Sequence, residues 1–167
     1  MPVKEILLLG NPHLYEVSRE VREDELPAVK SVVEDLHDTL LDFRQKYKAG
    51  RAIAAPQIGV MNRLIYMCIT EPVVFINPRL EFTGEETIEV WDDCMSFPDL
   101  FVKVERYQKC KVTYRDMAWD IHTVEYENDL SELLQHEYDH LDGILAVSRA
   151  IDGQSFCLRS QKQFIGK

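Results

Sequence analysis

Toward the end of the sequence stands His136-Glu137-Tyr138-Asp139-His140, two imidazoles four residues apart with a carboxylate directly after the first. On a helix, positions i and i+4 project from one face about a turn apart, so both rings can reach a single metal ion. Continuing the apolar spacing of Leu130, Leu133 and Leu134 forward lands on Glu137, His140 and Leu141. The ionisable groups therefore point inward, which is costly unless a metal or hydrogen bonds satisfy them. Two histidines at this spacing also occur by chance in many helices. Earlier in the chain, Cys94 in WDDCMSFPD offers a thiolate that could act as a third ligand and leave a fourth position for water. Cys68, Cys110 and Cys157 read instead as small buried hydrophobes. Residues 49–59, AGRAIAAPQIG, form a small-residue turn that lets backbone come close to another group and carries the amide of Gln57.

These groups need elements to hold them. Val29, Val32, Val33, Leu36, Leu40 and Phe43 recur at helical spacing between Pro27 and Tyr47, with Pro27 in the first turn and Gly50 past the end. Residues 63–69 read as a buried strand, and Asn77-Pro78 breaks the next apolar run, residues 73–76. Residues 79–90, 101–107, 109–115 and 119–126 are short, partly alternating and rich in β-branched or aromatic side chains, with a hairpin near Asp116. A second helix begins at Asp129 as N-cap, with Glu132 three residues on, and stops near Gly143. The expected fold is one α+β domain over residues 1–167: mixed or antiparallel strands packed around a central metal-binding helix, with the N-terminal helix outside.

Of the 167 residues, 46% are hydrophobic, enough for one core but not comfortably two. With 29 acidic against 19 basic residues the formal charge is -10, which argues against a nucleic-acid partner. No apolar run approaches the ~20 residues that span a bilayer, and the opening MPVKEILLLGNPH is too short for a signal peptide. A soluble intracellular protein with reduced cysteines is expected, and no membrane partner. The run REVREDELP reads as a solvated loop and cap, Trp91 and Trp119 as core or strand-face residues, and His13, His37 and His122 receive no role.

Three stretches, in this order, resemble the motifs GxGxAAxQ, EGCLS and HExxH of the peptide deformylase family: residues 50–57, 92–96 and 136–140. NPRL at 77–80 and LGNPHL at 9–14 are also similar to that family, so the resemblance covers nearly the whole chain. It implies a deformylase-like fold and release of formate from N-formyl-methionyl peptides, with nascent chains as partners. It further implies one divalent cation held by Cys94, His136 and His140, natively Fe(II), with Zn(II) or Ni(II) often found after purification. Glu137 would accept the water proton and return it to the leaving amine, while Gln57 and the backbone N–H of Met95 would bind the oxyanion. Gly50, Arg51, Ala52, Ile53 and Asp93 would flank the substrate backbone, and Leu133 would line the methionine pocket. A cytoplasmic location (or an organelle, in a eukaryote) and a monomer or weak homodimer complete the expectation.

The chain departs from the family where the motifs meet the substrate. Asp92 and Asp93 replace Glu-Gly before the cysteine, Met95 replaces leucine, Ala52 replaces a glycine, and Phe101 stands where many bacterial members carry an arginine near the mouth. Asp92 is one methylene shorter than glutamate, so the contact that positions the Cys94 loop must be rebuilt. Asp93 puts a charge where the family has bare backbone. Two rival readings follow. One is a relative that keeps the metal but acts on another amide or only binds. The other is a zinc peptidase with the HExxH signature, although no histidine follows His140 to complete that site.

Overall fold

A computed structural model describes residues 3–166. Its elements are, in order, α1 (Leu26–Tyr47), β1 (Ala52–Ala54), β2 (Leu64–Cys68), β3 (Pro72–Phe82), β4 (Thr87–Cys94), β5 (Phe97–Tyr107), β6 (Lys109–Arg115), β7 (Ile121–Glu127), α2 (Asn128–Leu141) and β8 (Phe156–Leu158), with short 3-10 turns between them. The strands form two sheets, β1-β2-β3-β6-β7 and β4-β5-β8. Every pairing between these strands is antiparallel, so the mixed option falls away, and α2 is the helix shared between the sheets.

Alternation along β2 shows how the layers are built. Leu64 and Tyr66 face α1 together with Leu36, Leu40 and Phe43, whereas Ile65 and Met67 face α2 together with Phe75, Leu133 and Leu134. Because successive strand residues point to opposite faces and both faces are covered, β2 reads as an unbroken apolar run. The small sheet has its own core of Cys94, Phe97, Val102 and Val104, closed by Ala146.

Several boundaries differ from the sequence reading. Asn77-Pro78 does not end a strand: β3 runs through it with a register shift, Asn77 at φ +50° and its side chain bonded to both backbone groups of Val21 at 2.8 Å. The tertiary anchor supplies what the lost ladder bonds remove. Residues 79–90 are therefore not one strand but the end of β3, a turn and the start of β4. Helix α2 starts one residue before Asp129, with Glu127 at the N-cap position and no side-chain cap, because Asp129 is drawn to Arg51. Trp119 lies in the turn before β7, at φ +68°, under Arg115. Cys110 is buried, but Cys68, at the end of β2, and Cys157, in the middle of β8, are only half-buried. Strand β8 and the turn after it had no clear periodic signal.

Candidate active site

Two elements bring the reactive side chains together. Helix α2 turns His136, Glu137 and His140 inward, where they are 6%, 2% and 1% exposed. Strand β4 delivers Cys94 at a register shift after Asp93, and such an irregularity re-aims the side chain that follows it. Cys94, His136 and His140 form a metal-binding group: one ligand atom from each lies within 4.8 Å of the others. Cys94 Sγ is 3.3 Å from His140 Nε2, and the two imidazoles meet edge to face.

A buried polar chain fixes this group from behind. Asp92 Oδ2 accepts from His136 Nδ1 at 2.8 Å and from Arg106 at 2.9 Å. Arg106 also donates to Asp139 at 2.7 Å, and Asp139 accepts two bonds from Arg149, at 2.6 and 2.9 Å. With Nδ1 committed to Asp92, His136 presents Nε2 to the centre, the usual role of a carboxylate behind a ligating imidazole. Asp92, one methylene shorter than glutamate, thus still reaches both His136 and Arg106. Burial opposes its charge, yet His136 and Arg106 hold the Asp92 carboxyl down at about 2. Burial likewise opposes a charged His136, but Asp92 and Cys94 keep its pKa well above the ordinary imidazole value. Burial, and then His136 beside it, push His140 well below that value, into the neutral form that can ligate. Glu137 is raised to about 7, chiefly by burial.

Gln57 sits in the 3-10 turn after β1. Its Oε1 accepts from the Ala54 N–H at 3.0 Å, while Nε2 donates to Ser96 Oγ at 3.1 Å and approaches Cys94 Sγ at 3.5 Å. The N-terminal segment holds both loops, through Leu7 N–H to Gln57 O and Leu9 N–H to Ser96 O, each at 2.8 Å. One cleft is lined by Gln57, Cys94, Met95, His136 and Glu137, and by Gly50, Arg51, Ala52, Asp93 and Leu133. Ile53 is different: its side chain is wholly buried on the α1 side and does not line that cleft. Phe101 is buried beneath Arg159, whose guanidinium lies 4.9 Å from the ring centroid, so a cation stands at this part of the mouth after all, delivered from the C-terminal segment.

The donor set fits a divalent cation. A thiolate and two imidazole nitrogens, with one further position open, suit a catalytic tetrahedral site. Among the described residues Glu137 Oε2 is buried without a hydrogen-bond partner, a burial cost that a cation and its water at the centre offset. Sequence reasoning missed Ser96, Arg106, Glu132, Asp139, Arg149 and Arg159. Ser96 and Asp139 had a signal, since they lie inside the matched stretches 92–96 and 136–140; the others reach the site through pairings set by the tertiary fold.

Comparison with known proteins gives a consistent result. Residues 3–155 match the family model described as polypeptide deformylase. The chain is 34% identical to peptide deformylase 1 of Prochlorococcus marinus (strain MIT 9313), over 99% of this chain and 90% of the relative. The crystal structure of peptide deformylase from Thermotoga maritima superposes with a TM-score of 0.82 at 30% identity, covering 91% of this chain and 100% of that one. A class I type b peptide deformylase from Acinetobacter baumannii, in its Met-Ala-Ser-bound structure, also gives 0.82, at 26% identity and with 89% and 100% coverage.

Proposed function

The chain belongs to the polypeptide deformylase family and catalyses metal-dependent removal of N-formyl groups, and from that premise we propose how its own residues divide the work. The observation that carries the proposal is the buried Glu137 carboxylate, with one oxygen unpartnered among the described residues, beside the Cys94, His136 and His140 group.

When bound, a divalent cation supplies Lewis acidity, lowering the pKa of a water from 15.7 toward ~7 and polarising the formyl oxygen. Glu137 accepts the proton of the attacking water and hands it to the amine that leaves, so formate and a free amino terminus result. Its raised pKa suits both transfers at neutral pH. Gln57 Nε2 turns from Cys94 Sγ toward the oxygen of the tetrahedral carbon, and the backbone N–H of Met95 donates to the same oxygen. His136 is held by Asp92 so that its orientation costs nothing at the moment of reaction.

Strands β1 and β4 are both edge strands, in different sheets, and Gly50 to Ala52 and Asp92 to Met95 line the same cleft. An extended peptide entering between them finds unused backbone donors and acceptors along the edges, the general means by which sheets take up peptides. Leu133 and the ring of Phe43 supply apolar wall for a methionine side chain. Formylated nascent chains as substrate, Fe(II) as the native cation and the compartment of translation as the place of action belong to the same proposal. The Met-Ala-Ser bound by the Acinetobacter baumannii relative has the length and composition of a deformylated product.

Cobalt substitution tests the site. A thiolate-to-cobalt charge-transfer band should accompany binding of one equivalent and vanish in Cys94→Ser. A band of unchanged strength in that variant would remove Cys94 from the ligand set and favour the peptidase reading.

A further inference from the structure

Asp93 and Arg159 face one another at the mouth of the cleft, and the chemistry described so far uses neither side chain. Across β4, β5 and β8 the pairings Asp93 with Phe101 and Phe101 with Cys157 set three residues in one row, and Arg159 follows two residues later. Both Asp93 and Arg159 line the cleft that holds Glu137, and their side chains are 42% and 29% exposed.

The two side chains are held very differently. Arg159 is fixed by other partners: Nε donates to Pro98 O at 2.7 Å and the guanidinium lies over the Phe101 ring. Its approach to Asp93 is only an Nη2 to Oδ2 contact of 3.8 Å, too long for a hydrogen bond. Among the described residues no hydrogen bond reaches the Asp93 carboxylate, so its acceptor capacity faces the cleft. On the other rim Arg51 is engaged by both Asp129 and Glu132, each at 3.2 Å. Three carboxylates thus meet two guanidinium groups around the opening, and Asp93, next in the chain to Cys94, is the one held least. A peptide lying in the cleft along the edge of β4 passes Asp93.

Resting on the deformylase reading, we infer that Asp93 and Arg159 form a charge filter for the residues that follow the formyl-methionine: basic side chains are taken up against Asp93 and acidic ones are turned away. Arg159 moderates the filter by partly neutralising Asp93, so the two residues act in opposite directions. Exposed charges a few ångströms apart interact by about 1 kcal/mol or less, and salt weakens them further. That corresponds to a preference of about fivefold, since a tenfold change is about 1.4 kcal/mol.

The test compares kcat/KM for formyl-Met-Lys-Ser and formyl-Met-Glu-Ser at low salt in the wild type, Asp93→Asn and Arg159→Gln. The expected ratio is about fivefold in favour of lysine for the wild type, near one or below for Asp93→Asn, and larger than the wild type for Arg159→Gln, with all differences compressed at high salt. A wild-type ratio within twofold of unity, or variants that shift the ratio in the same direction, would overturn the filter, because a merely structural role lowers both substrates together. Binding of the products Met-Lys-Ser and Met-Glu-Ser, followed through amide NMR shifts, reads the same preference without turnover. Failure to hydrolyse any formylated peptide while that binding preference persists would sink the deformylase reading and leave the filter standing.

Discussion

Replacing Arg106 by methionine removes the cation at the centre of the buried chain while keeping most of its apolar volume. Arg106 is 3% exposed and bonded to Asp92 and Asp139, so its loss affects two carboxylates, though unequally. Asp139 keeps the paired bonds from Arg149, whereas Asp92 keeps only His136. Asp92 is therefore left with one of its two cationic partners. Breaking a buried pair from one side costs about 3–5 kcal/mol, and with His136 still opposite Asp92 the lower end applies, ~3 kcal/mol. For a chain of this size each kcal/mol moves the melting temperature by ~2–4 °C, so Arg106→Met should melt about 6–12 °C below the wild type. Urea unfolding followed by the fluorescence of Trp91 and Trp119, with chelator present so that metal does not contribute, measures the cost. Adding Asp92→Asn should recover part of it, because the amide oxygen still accepts from His136 and no unpaired charge remains. A coupling of at least ~1 kcal/mol is expected between the two sites. A loss below about 1 kcal/mol for Arg106→Met, or strict additivity in the double variant, would refute the reasoning.

Gly143→Ala should destabilise by about 2–3 kcal/mol in the same assay. Gly143 sits at φ +71° after α2, and an added Cβ would run into the carbonyl of Tyr15; a change under 0.5 kcal/mol would show that the segment moves aside freely. Tyr66 and Tyr126 are both pushed up to about 12, mainly by burial, so ultraviolet titration should show two phenols ionising well after an ordinary tyrosine. The sign is fixed by linkage: between pH 10 and 12 the unfolded chain gives up protons that the folded chain keeps, so this contribution is whole below pH 10 and is lost as pH rises toward 12. Flat stability across that window would contradict it. Gln57→Ala should lower kcat by about a hundredfold or more while leaving metal content unchanged, the signature of an oxyanion donor; an unchanged kcat would remove that role.

The ligand set was legible because its geometry is carried by sequence spacing. His136 and His140 share a face at any helix of ordinary pitch, and the leucine stripe says that this face is the buried one. The α1 pattern and the β6–β7 hairpin were legible for the same reason, since helical periodicity and turn chemistry are local. Cys94 could be attached to the pair only through the order of the three motifs, for no local rule brings β4 against α2. The passage of β3 through Asn77-Pro78 could not be read at all: the break is a sound local inference, overruled by two bonds to Val21, 56 residues away. The partner of Asp93 was out of reach for a related reason. Arg159 belongs to a segment without periodicity and arrives only through the short pairing of β8 with β5. Asp93 alone read as a charge set where the family has bare backbone. Beside Arg159 it becomes half of a pair.

Metal content and formate release, measured on the same anaerobic iron-loaded preparations of the wild type and Glu137→Gln, test the central claim most directly. With formyl-Met-Ala-Ser, the wild type should hold one equivalent of metal and release formate. Glu137→Gln should bind the same metal yet turn over at least a hundredfold more slowly, in keeping with the ~10²–10⁴-fold contribution of a positioned proton-transfer group. A variant that keeps both its metal and its rate would contradict the role given to Glu137, and a metal-loaded wild type that releases no formate would contradict the activity itself.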